Sequence, residues 1–171
     1  MSQDVTAERL ANRWSNPVDE LCGRLRIEFE DLRPGLRHAI YLELRNNSFD
    51  PITVTNQPKI HAELLDRVGK TVGRSGMAIE GPAPTQQWAV IPRDGYIGFR
   101  IDMQNVDMPT REQGKVLVAL GDKCWRVGVG SYRLETAVTF AKDETGREHS
   151  WTGELELPPA EMVVTAAMLK V

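Results

Sequence analysis

The sequence predicts an all-β fold, a small antiparallel β-sandwich, and three observations predict it. Between Gly130 and Phe140, the residues Tyr132, Leu134, Thr136, Val138 and Phe140 take alternate positions, with Arg133, Glu135 and Thr139 between them. Period two is the pattern of a strand with one buried and one wet face. The same alternation recurs in at least five other stretches, and glycine, proline, asparagine and aspartate punctuate the gaps.

Taken in order, residues 4–14 suit a short helix, capped by Asp4, with Ala7, Leu10 and Trp14 on one face and Pro17 ending it. Leu25, Ile27 and Phe29 then alternate with Arg24, Arg26 and Glu28, and a turn follows at residues 33–36. Ile40, Leu42 and Leu44 alternate with Tyr41, Glu43 and Arg45; Asn46, Asn47 and Ser48 close that strand. Ile60, Ala62 and Leu64 form the inner face of the next. Trp88, Val90 and Ile91 open a strand that Pro92 to Gly95 turns into Ile97, Phe99, Ile101 and Met103, a hairpin pattern. Residues 104–129 read less clearly: Lys115 to Leu120 is a strand or a buried helical turn, because a short apolar run does not settle the period. Cys22 stands before the first strand and Cys124 in a loop. The last clear strand holds Trp151, Leu155 and Leu157 and stops at Pro158-Pro159. Beyond it, residues 160–171 place Met162, Val163, Ala166 and Leu169 at helical spacing, or form one more edge strand.

About seven to eight strands with little helix fit an immunoglobulin-like sandwich better than a closed barrel. Tyr132, entering a late strand after a glycine turn, suits a tyrosine corner. The expected organisation is a helical extension over 1–20, a sandwich over 21–159 and an apolar tail over 160–171.

At 171 residues the chain holds one domain with a full core. Its 41% hydrophobic and 26% charged residues are those of a globular protein, and a net charge of -3 gives no basic footprint for nucleic acid. No membrane-length apolar run and no leader-like opening are present, so the expected setting is the cytoplasm, with Cys22 and Cys124 as free thiols.

Catalytic patterns fail one by one. Gly69-Lys70-Thr71 resembles the end of a phosphate loop, but Leu64 stands where the leading glycine belongs, so a turn over 66–73 is the reading. His61 and Glu63 share a strand face near Asp66, a seed for a metal with no second ligand cluster. Lys123 beside Cys124 invites a lowered thiol pKa, but a half-buried small residue in a loop is the preferred reading. No serine sits in a nucleophile elbow. Asn46-Asn47-Ser48 matches a glycosylation acceptor and reads as a turn. Among the tryptophans, Trp88 and Trp151 fall inward and Trp125 is the exposed candidate. No catalytic residue, metal or cofactor is therefore assigned.

Two segments remain as interaction surfaces. The connection over 68–86 carries Arg74, Met77, Ile79 and Pro82 among glycines, and a loop of that length needs a reason. The tail carries Met162, Val163 and Leu169, which either pack at home or meet a partner.

The order of turns resembles the intracellular proteinase-inhibitor family of bacterial immunoglobulin-like domains. The residues concerned are Asn46-x-Ser48 with Ile52 to Val54, then Asp66-x-x-Gly69-Lys70-x-Val72, then Pro92-x-x-Gly95 with Phe99, then Gly130-x-Tyr132. The likeness spans about residues 38–141; Gly73-Arg74 replaces an expected aromatic, and 104–129 is an enlarged connection. The resemblance implies a sandwich and, as one alternative, proteinase inhibition through the 68–86 loop. The expectation drawn from all of this is a non-enzymatic binding module with a protein partner or self-association, acting through end loops or an uncovered strand edge. A metal-assisted hydrolase on His61, Glu63 and Asp66 is the third reading.

Overall fold

A computed structural model of the chain describes residues 13–32, 35–77, 87–102, 111–112, 114–141 and 150–169. Among them the elements run β1 (Leu21–Leu32), β2 (Gly35–Asn46), β3 (Ile52–Thr55), β4 (Lys59–Asp66), β5 (Gly76–Met77), β6 (Trp88–Ile91), β7 (Tyr96–Arg100), β8 (Arg111–Glu112), β9 (Lys115–Leu120), β10 (Lys123–Val127), β11 (Gly130–Phe140), β12 (Gly153–Val164) and α1 (Ala166–Leu169). The fold is all-β, and the strands pair antiparallel in four sheets, ordered β1-β2-β7, β5-β10-β9-β8, β12-β11-β4 and β3-β6.

The alternation that predicts β11 holds residue by residue. Leu134, Thr136, Val138 and Phe140 are buried, and Arg133 is exposed. Its inward side chains join Leu42 and Leu44 of β2, Leu64 of β4, Trp125 of β10 and Leu155 of β12 in one core reached by all four sheets. Burial of such side chains supplies the main driving force. Where β1 faces β12, Gly23 makes room: a Cβ there would lie 2.8 Å from Leu157 Cδ2. A larger residue there would force Leu157 to shift. The Tyr132 hydroxyl donates to the Gly128 carbonyl at 3.1 Å, closing the turn that feeds β11.

Several expectations need correction. Residues 88–91 and 96–100 do not form a hairpin with each other. β6 pairs with β3 and β7 with β2, so the Pro92–Gly95 turn carries the chain from one sheet to another. Pro158-Pro159 does not stop the last strand. β12 continues to Val164, because the two prolines stand opposite Glu135 in a bulge between Leu134 and Thr136, the kind of place where a strand tolerates proline. Met162 and Val164 of the expected tail are thus core strand residues, and only Ala166–Leu169 is helical.

Lys115–Leu120 resolves to strand β9, whose residues alternate in burial. A two-residue turn joins it to β10; Gly121 there has φ 60°, and a Cβ would meet the Ile60 carbonyl at 2.9 Å. Trp125, read as exposed, is 1% accessible, since this hairpin folds onto the core. Cys22 and Cys124 lie in β1 and β10, not before a strand or in a loop; both are buried, free thiols. The helix expected over 4–14 lies outside the described residues except Arg13 and Trp14, which are not helical.

Candidate functional site

An edge strand and a groove beside it form the candidate binding site. β12 is laddered to β11 on one side, and among the described residues no strand pairs with its other side. Along β12, Leu155, Leu157, Met162 and Val164 face the core, while Glu154, Glu156, Pro159, Glu161 and Val163 are exposed. Pro158 and Pro159 have no N–H to offer, so the middle of this strand gives a neighbour no donor at these two positions.

Next to it lies an open groove of about 360 Å³, with Trp14, Ser15 and Asn16 on one wall and Glu156, Pro159 and Glu161 among the residues of the other. The first wall is strapped to the edge of β1: Ser15 N–H donates to the Gly23 carbonyl at 2.9 Å, and Gly23 N–H to Ser15 Oγ at 3.0 Å. Trp14 is held by the Arg24 guanidinium stacked on its ring at 4.5 Å. Arg24 is held in turn by Glu43, with Nε to Oε2 at 2.6 Å, and Arg26 Nε reaches the other oxygen at 2.7 Å. Burial pushes the Glu43 carboxyl up, but the two guanidinium groups outweigh it and hold its pKa below the ordinary value. On the far wall Arg133, which also lines the groove, is paired with Glu135 at 2.8 Å.

A second construction is the corner around Asn46, which is fully buried at the end of β2. Its Nδ2 donates to the carbonyls of Asp50, Ile91 and Pro92 at 2.8, 3.0 and 3.3 Å, and its Oδ1 accepts the Ser48 N–H at 2.7 Å. Asn46 N–H donates to the Gly95 carbonyl, and Asn47 N–H to that of Glu20. Three turns are thereby tied together, and they carry non-glycine residues of positive φ: Asp19 at 42°, Glu20 at 65° and Asp94 at 55°. Phe49 stands 79% exposed at this corner under the Arg93 guanidinium, 4.5 Å away.

The residues singled out from sequence are dispersed. Arg74 is exposed after the turn that leaves β4, and Met77 pairs through its backbone with Lys123 of β10; Ile79 and Pro82 lie outside the described residues. Met162 is buried, Val163 is 48% exposed on the β12 edge strand, and Leu169 packs half-buried against the core. Met162 and Val163 both lie on β12, the groove's strand, and of the two only Val163 is exposed. His61 and Glu63 are exposed on β4, and Asp66 Oδ1 accepts the amides of Val68 and Lys70 as a turn residue. Among the described residues no three His, Cys, Asp or Glu side chains converge as a metal site. Lys123 Nζ donates to the Ala62 carbonyl at 2.7 Å and so covers the open edge of β4. Burial raises the pKa of the Cys22 thiol, against the lowering effects of the Asn47 hydrogen bond and Arg45, which leaves a poor nucleophile.

Sequence reasoning missed the groove. Its walls come from residues 13–16 and 156–161, which no local period connects. One signal was present: Arg24 and Arg26 alternate on the strand that precedes Glu43, as a cross-strand clamp requires. No family model, curated protein or solved structure matches the chain. Among the described residues no helix is long and apolar enough to cross a membrane.

Proposed function

We propose that the protein is a non-enzymatic binding module that receives an extended segment of a protein partner along the free edge of β12. One observation carries this reading: among the described residues a long edge strand is paired on one side only, and a groove lies beside that strand with a pre-built wall at Trp14. Edge addition draws affinity from main-chain hydrogen bonds and selectivity from alternate side chains. A wall held rigid by Ser15, Arg24 and Glu43 has little ordering left to pay for when a partner arrives.

The scaffold we assign is an immunoglobulin-like sandwich. The Tyr132–Gly128 hydrogen bond, of the tyrosine-corner kind, supports it, as does the close approach of β1 to Leu155 and Leu157 of β12 at Gly23. The two buried free thiols support a reducing, cytoplasmic setting.

A second reading places the contact at the Asn46 corner, favoured by the exposed Phe49 and its stacked Arg93. A proteinase inhibitor using the 68–86 loop is the third. A photo-crosslinking amino acid placed in turn at Glu156, Phe49 and Arg74, in the source cells, separates them. A discrete adduct from the Glu156 position supports edge binding; adducts from Phe49 or Arg74 alone transfer the site to the corner or the loop. No adduct from any position overturns the binding module.

A further inference from the structure

We infer that the β12 edge takes an extended cationic segment of a different protein, one rich in hydrogen-bond donors, rather than a second copy of itself; this rests on the edge-binding reading above. The argument begins with what the edge offers. Pro158 and Pro159 carry no N–H, so at these two positions the strand can accept hydrogen bonds but cannot donate them. Exposed carboxylates flank it, Glu156 before the prolines and Glu161 after them, with Glu154 one alternate position further out. Carbonyl oxygens and carboxylates together give this edge a negative potential. Its complement is a strand that brings N–H groups and lysine or arginine side chains at alternate positions.

The groove is consistent with such an occupant. Arg133 is already neutralised by Glu135, so Glu156 and Glu161 outnumber the remaining lining cation, Arg13. Trp14 on the opposite wall offers an apolar surface along which the aliphatic stem of a lysine or arginine can lie.

The same chemistry excludes self-pairing. If two copies paired antiparallel about the prolines, Glu156 of each would stand opposite Glu161 of the other, and two acceptor-only stretches would meet. Like charges directly opposite destabilise a ladder, and prolines with charges are the usual protection of an open edge. The edge is closed to its own kind and open to a donor-rich cation.

The test uses the full chain and two acetylated hexapeptides, one alternating lysine with valine and one alternating glutamate with valine, followed by backbone amide NMR shifts. The lysine peptide is expected to shift the amides of residues 153–157 and 160–164 and of Trp14, Ser15 and Asn16. That binding should weaken as salt rises and fall about tenfold in the double variant E156K/E161K. Both substitutions are at exposed positions, and an unchanged amide spectrum elsewhere checks that the variant is folded. If both peptides shift β12 equally, the cationic inference fails while edge binding stands. If neither peptide shifts β12, both fail. A dimer in sedimentation whose interface maps to β12 also overturns the inference.

Discussion

The side-chain amide of Asn46 donates to the backbone carbonyl of Ile91 at 3.0 Å, and so joins the end of β2 to the end of β6, strands of two different sheets. Because Asn46 also serves Asp50, Pro92 and Ser48, one side chain fixes where the chain leaves one sheet for another.

Asn46→Ala should therefore lower stability by about 2–4 kcal/mol, since four hydrogen bonds between one buried side chain and the backbone are lost at once. Urea unfolding measures it. A loss below about 1 kcal/mol would mean that water replaces the amide and that the corner is not pinned by this residue.

His38 sets an acid limit. Burial lowers its pKa from 6.5 to about 4, against the raising effect of Asp102. The unfolded chain thus takes up the proton first, at about pH 6.5, and the folded one only near pH 4. Stability is undiminished above the unfolded value and falls as pH drops through the window between the two, by up to ~3 kcal/mol. Denaturation midpoints from pH 7 to 4 should show this slope, and His38→Gln should flatten it. An equal slope in the variant would assign the acid sensitivity elsewhere.

Pro158→Ala combined with Pro159→Ala restores two N–H groups to the middle of β12. The double variant should self-associate as its concentration rises, while the parent chain stays monomeric through this edge. Sedimentation velocity distinguishes them, and a monomeric variant would show that the carboxylates alone protect the strand.

Tyr132→Phe removes only the hydroxyl that donates to Gly128. The expected cost is ~1 kcal/mol, seen as a drop of a few degrees in Tm. A neutral result would make the turn before β11 self-sufficient.

What the sequence made legible is what local pattern decides. The alternating residues of β11 and β2 face as their period demands, because each apolar side chain on a strand has only two directions to point. The turn at Pro92–Gly95 was legible too, but its consequence was not: whether two flanking strands pair with each other depends on Asn46, far away in the chain. Pro158-Pro159 looks like a stop because a proline removes a donor, yet a bulge on an edge strand has donors to spare. Glu43 was read as one of the wet residues of its strand and is 5% exposed, because the arginines of β1 close over it. The groove was invisible for a related reason, since it exists only where two remote segments meet.

That meeting has a consequence for synthesis. The wall at Trp14–Asn16 is translated more than a hundred residues before the wall at Glu156–Glu161. An unfinished chain on the ribosome owns half a site and can hold nothing in it. The groove is complete only when β12 closes on β11, so a partly made chain has no groove to offer.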